Sequence, residues 1–261
     1  MSARSVVMYG DFNCPWSYLA SRRAGLLAAS GVLRMDWRAV EHDPAPLGRH
    51  RISSGRFDAL RAEMDRVSRT LLPGEAFPYS LAGFVPHTRA AISGYAEAYG
   101  AGVSSSARRL LFDAFWMGAL DLNDAKVVRT LLVDAIRAGH STSEPLREWG
   151  YSVDVTGGPI TSTAWRLLGS WTNGWLGTGK EIVPVLLVDG GEPIFGEAAV
   201  DWLGEELVRW EVDVDTGSER MVPGPWVGVD VPDLSWVSQY GGRWLRTYQD
   251  AHRVRSWTQA G

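Results

Sequence analysis

The order of periodicities at the start of the chain restricts its fold more than any other feature. Val6-Val7-Met8-Tyr9 is a short β-branched and aromatic run closed by Gly10-Asp11, which reads as a buried strand ending in a turn. Pro15 suits a first helical position, and Tyr18, Leu19, Ala24, Leu26 and Leu27 recur at helical spacing until Gly31. Residues 32–40 then alternate, with Leu33, Met35, Trp37 and Ala39 set against Arg34, Asp36 and Arg38, as a half-buried strand does. A strand, a helix and a strand connected in this way pair in parallel through a right-handed crossover.

After His42-Asp43-Pro44 the pattern turns helical, with helices predicted over 56–72, 88–99, 106–117, 124–138 and 162–176. Breaks such as Leu72-Pro73-Gly74 and Gly157-Gly158-Pro159 separate them, and Asn123 or Asp124 would cap the fourth. Strand character returns in Ile182-Val183-Pro184-Val185-Leu186-Leu187-Val188. Asp189-Gly190-Gly191 is a hairpin signal, Pro193-Ile194-Phe195 resumes the sheet, and 198–210 reads as a last helix. The expected class is therefore α/β. Residues 1–43 and 180–210 form a βαβ…ββα unit, residues 44–179 a large all-helical insertion subdomain, and residues 211–261 a C-terminal extension without a clear period. That extension carries Trp226, Trp236, Trp244 and Trp257, more aromatic character than a solvated tail keeps. It is expected to pack on the domain or on a partner subunit, which leaves a homodimer open to the chain.

Composition narrows the function classes. With 261 residues and 45% hydrophobic content the chain can bury one enzyme-sized core. A net charge of −4 with no dense Lys/Arg cluster argues against a nucleic-acid partner. The run at Val6 is too brief for a signal-peptide core and no segment approaches ~18 uninterrupted apolar residues, so the expectation is a soluble cytoplasmic protein without a membrane partner. The five His are dispersed and the Gly-rich pieces lack a strand-to-helix phosphate-loop pattern, so neither metal nor nucleotide is expected. A single cysteine, Cys14, excludes an internal disulfide. Any redox cycle there must borrow its second sulfur.

A free cysteine is ordinarily a small buried hydrophobe. Cys14 departs from that by standing at the first strand-to-helix junction, in Asp11-Phe12-Asn13-Cys14-Pro15-Trp16-Ser17-Tyr18. Unpaired amides and the helix dipole at such a terminus favour the thiolate, so the thiol is expected to ionise more readily than a free one. Ser17, one turn on, can offer its hydroxyl to the sulfur, where a cysteine would supply a resolving thiol.

The run from Asp11 to Ala20 resembles the active-site segment of the DsbA-like thioredoxin superfamily. It resembles in particular the branch holding polyketide-associated dithiol isomerase-like proteins, 2-hydroxychromene-2-carboxylate isomerases and kappa-class glutathione transferases. Ile182-Val183-Pro184-Val185, followed by Val188-Asp189-Gly190 and Ile194-Phe195-Gly196, resembles that family's cis-proline strand and hairpin. The similarity covers about residues 5–210. It implies a thioredoxin-like fold, with Cys14 as the nucleophilic or thiol-partnering residue and Pro15 and Trp16 beside it. Pro184 would be cis against the sulfur, and the Val183 backbone would pair with an extended thiol ligand. Ser17 stands where a dithiol oxidoreductase has its second cysteine, and a serine usually stands in the isomerase and kappa branch where this chain has Cys14.

His42, after the second strand, could act as a general base or orient a substrate, though a solvated loop histidine is the ordinary reading. His87 precedes a helix of the insertion where the isomerase branch places a polar, substrate-facing group, and Thr88 could cap that helix. Asp11 could reach the site or simply close the turn. The leading expectation is a monothiol oxidoreductase in which Cys14 attacks a disulfide or an electrophilic carbon, with glutathione or another small thiol resolving the adduct. The alternative is a thiol-cofactor-dependent isomerase or transferase acting on an aromatic or polyketide-like small molecule. A non-catalytic binding protein on the same fold is the third.

Overall fold

The computed structural model describes residues 3–42, 54–78 and 85–214. Strand β1 (Arg4–Gly10), helix α1 (Pro15–Ala29) and strand β2 (Leu33–Ala39) come first, and β1 and β2 pair in parallel from Arg4 opposite Leu33 to Gly10 opposite Ala39. Six helices follow: α2 (Ser54–Arg69), α3 (Arg89–Gly100), α4 (Ser104–Trp116), α5 (Ala125–Ala138), α6 (Glu144–Trp149) and α7 (Ser162–Leu176). Strands β3 (Val185–Val188) and β4 (Ile194–Phe195) and helix α8 (Glu197–Arg209) complete the order. The four strands lie in the order β2-β1-β3-β4, with β3 antiparallel to both β1 and β4. Central β1 therefore delivers residues 11–14 to the edge of the sheet between β2 and the segment entering β3.

Two elements differ from the sequence pattern. The apolar run from Ile182 enters the ladder only at Val185, because Pro184 has no N–H to give and the Val183–Pro184 peptide is cis. Helix α6 has only six residues, too few to register as a period. It begins with Pro145 in its first turn and ends at Gly150 in the left-handed conformation. Residues 43–53, where the insertion is expected to begin, and the extension from residue 215 with its four Trp lie outside the described residues.

Helix α1 packs on α8, β2 and α2, while α3 and α7 pack against β2, so the inserted helices and the sheet share one hydrophobic core. Trp171 and Trp175 are buried in it, whereas Trp165 is exposed. Arg23 of α1 is 1% exposed. It pairs with Glu75 at 2.6 Å and donates to the carbonyls of Thr70 and Val200, tying α1 to the turn after α2 and to α8.

Candidate functional site at Cys14

A cage of rings fixes the junction between β1 and α1. Phe12 packs on Phe112 at 4.9 Å and on Tyr95 at 5.8 Å, and Tyr18 packs on Phe77 and Trp116. The Trp116 indole N–H donates to the Phe12 carbonyl at 3.0 Å. Gly10 is required by this packing, since a Cβ there would lie 2.3 Å from the Trp37 ring and 3.1 Å from Ser17 Oγ. The chain then turns through a bond from the Cys14 amide to the Asp11 carbonyl at 3.3 Å, and Cys14 becomes the N-cap of α1 with Pro15 as its first residue.

Cys14 is 5% exposed, and its thiol donates to the Val183 carbonyl at 3.6 Å. Two hydrogen bonds hold that carbonyl's segment, in which the Val183–Pro184 bond is cis: Trp175 Nε1 donates to the Ile182 carbonyl at 2.9 Å and the Gly196 amide donates to the Pro184 carbonyl at 2.8 Å. Ser17 is fully buried. Its Oγ accepts from the Asp11 amide at 3.3 Å, and its hydroxyl and amide both turn to the sulfur. Trp16 is buried too, with the Arg66 guanidinium 6.0 Å from its ring centroid.

The electrostatics run against the expected activated thiol. Burial pushes the Cys14 thiol up to about 12; the Ser17 hydroxyl and amide pull it back, and the carboxylates of Glu63 and Asp11 push it further up. The helix terminus is present, but the sulfur's removal from water outweighs it. At rest Cys14 is a neutral thiol donating a hydrogen bond.

The turn also gathers polar groups from three elements. Asp11, fully buried, accepts the Thr88 hydroxyl at 2.6 Å on Oδ1 and both the His42 amide and Nδ1 on Oδ2, the latter at 2.8 Å. His42 is thus tied to the Cys14 turn through Asp11. His87 lies 3.7 Å from Glu41, whose carboxyl is raised by partial burial and by Asp11. Thr88 is the N-cap residue of α3 without a side-chain capping bond, because its hydroxyl is spent on Asp11. Asn13 Nδ2 donates to the Pro86 carbonyl at 3.1 Å, so the segment leading into α3 lies against the Cys14 turn. Sequence reasoning missed Asn13, Glu41 and Glu63. Asn13 and Glu41 adjoin residues already singled out, Cys14 and His42, whereas Glu63, in the middle of α2, carries no local signal. Among the described residues no group of three or more His, Cys, Asp and Glu could hold a metal ion. No described helix is long and apolar enough to cross a membrane.

No protein-family model and no curated protein sequence matches the chain. Solved structures do. A 2-hydroxychromene-2-carboxylate isomerase is similar with a TM-score of 0.54 at 18% identity, over 79% of this chain and 95% of that one. A probable DsbA oxidoreductase from Streptomyces coelicolor gives 0.53 at 17%, over 80% and 91%. The cytosolic disulfide reductase DsbM from Pseudomonas aeruginosa gives 0.53 at 14%, over 80% and 100%. At these identities the likeness shows the fold alone, which is thioredoxin-like.

Proposed function

We propose that this DsbA-like thioredoxin-fold chain is a monothiol enzyme in which Cys14 meets a small thiol or disulfide at the ledge formed by Val183 and Pro184. The observation that carries the reading is the 3.6 Å contact from Cys14 Sγ to the Val183 carbonyl beside a cis X-Pro bond, with Ser17 buried where a second thiol would otherwise stand. The exchange balances without a second cysteine. Cys14–SH and a disulfide RS–SR give Cys14–S–SR and RSH; a second small thiol R′SH then restores Cys14–SH and releases RS–SR′. Ser17 hydrogen-bonds the charge that develops on sulfur, and Pro15 and Trp16 shape the wall beside it. A DsbM structure has been solved with glutathione, which supports a small thiol of that kind as co-substrate here. A cytoplasmic, reducing setting suits such a cycle.

One observation favours a second mode on the same site. Because resting Cys14 is protonated, it can donate a hydrogen bond to the thiolate of a bound thiol cofactor while the cofactor reacts with an aromatic or polyketide-like substrate. His87 and His42, each beside a carboxylate, would then face that substrate. Intact-mass analysis during turnover separates the modes. A Cys14 adduct that forms with a small disulfide and is released by glutathione supports exchange. Thiol-dependent turnover without such an adduct supports the cofactor mode, and absence of both overturns the enzymatic reading. Ser17→Cys should gain dithiol activity in hydroxyethyl-disulfide reduction.

A further inference from the structure

Asn13, the residue before the reacting sulfur, is 6% exposed, and its Oδ1 is buried without a hydrogen-bond partner. The amide orientation is fixed by its other end, since the Pro86 carbonyl can only accept and so takes Nδ2. A buried acceptor lacking a donor is costly, and supplying one is rewarded. Val183, with which the thiol pairs, is 5% exposed, so the ledge, like Asn13, is withdrawn from water. Beside the Ser17 donors, the sulfur meets acceptors: the Val183 carbonyl and the carboxylates of Asp11 and Glu63. Arg66 lies 3.7 Å from Glu63 and His42 2.8 Å from Asp11, and both act against the charge on Glu63. Once Cys14 enters a disulfide its proton is gone, and the Val183 carbonyl loses its donor as well. Two buried acceptors, one on the residue before Cys14 and one on Val183, are then without a donor from the sulfur.

We propose that the Cys14 site selects small thiols and disulfides bearing a protonated amine close to sulfur, cysteamine-like in chemistry, whose N–H groups serve Asn13 Oδ1 and the Val183 carbonyl. The inference rests on the reading that Cys14 meets a small thiol or disulfide. With cystamine, the Cys14 sulfur bonds to one half of the reagent and the reagent's S–S bond breaks. The other half leaves as cysteamine carrying the Cys14 proton, so Cys14 is oxidised and that half reduced.

Adduct formation on the full chain is followed by intact mass with three disulfides of similar size: cystamine (cationic), bis(2-hydroxyethyl) disulfide (neutral) and 3,3′-dithiodipropionate (anionic). Cystamine should react fastest and dithiodipropionate slowest, with each matched charge-assisted bond contributing roughly tenfold. Folded Asn13→Leu should lose most of the cystamine advantage over the neutral reagent. Equal rates, an inverted order, or a preference untouched by Asn13→Leu overturns the proposal; if that variant does not fold, the wild-type order decides alone. If no disulfide reacts, the exchange reading fails and binding decides instead. In Cys14→Ser, cysteamine should shift the Asn13 side-chain amide resonance, and an unmoved resonance refutes amine selection.

Discussion

If burial governs the Cys14 sulfur, raising the pH through the range where ordinary cysteines ionise should leave it protonated. Moving the thiol from its ordinary 9.0 to about 12 lowers its ionisation about a thousandfold, and at about 1.4 kcal/mol per tenfold this is roughly 4 kcal/mol against the thiolate. The folded-state value lies above the unfolded one, so this contribution to stability is fully present below pH 9 and is lost as the pH climbs from 9 toward 12. Thiolate ultraviolet absorbance of the folded chain, taken as a difference from Cys14→Ala, should stay flat through pH 9, and the urea midpoint of the wild type should fall relative to Cys14→Ala above that pH. Glu63→Gln removes a carboxylate that pushes the thiol up and should bring ionisation earlier; Ser17→Ala removes a donor that pulls it down and should delay it further. A midpoint at or below about 8.5 in the wild type would refute the argument that burial outweighs the helix terminus.

Three stability effects accompany it. Gly10→Ala drives a Cβ toward the Trp37 ring at 2.3 Å and should cost about 1–3 kcal/mol by urea denaturation, with no loss expected only if that ring can step aside. Arg23→Ala leaves the buried Glu75 carboxylate without its 2.6 Å partner and should cost about 3–5 kcal/mol, measured in the same way. Trp116→Phe deprives the buried Phe12 carbonyl of its 3.0 Å donor and should cost about 1–3 kcal/mol; an unchanged melting temperature would show that another donor reaches that carbonyl.

The strand and helix order around Cys14 was legible because local chemistry and tertiary structure agree there. Pro15 does start α1, Leu33 to Ala39 alternate as β2, and Ser162 to Leu176 bound α7 as the helical spacing indicates. The apolar run from Ile182 reads as one strand, yet Pro184, with no N–H to give, delays the ladder to Val185. Cys14 shows the limit of position-based reasoning: the helix start is a local property, but the water excluded from the sulfur depends on groups brought in from α2 and from the segment before β3. His42 and His87 could be singled out as side chains of suitable chemistry. Their tethering to Asp11 and Glu41 could not, because Asp11 is 31 residues from His42 in the chain.

The guanidinium of Arg23 has a bearing on how this molecule could be trimmed. Its partners are Glu75 and Thr70 on one side and the Val200 carbonyl on the other. Excising the inserted helices to recover a minimal thioredoxin would strand a buried positive charge on the helix that Cys14 caps, and Gly204, whose Cβ would meet Arg23 at 2.7 Å, leaves no slack on the opposite side. The insertion is therefore not a removable cover but a structural requirement of the helix that carries the thiol.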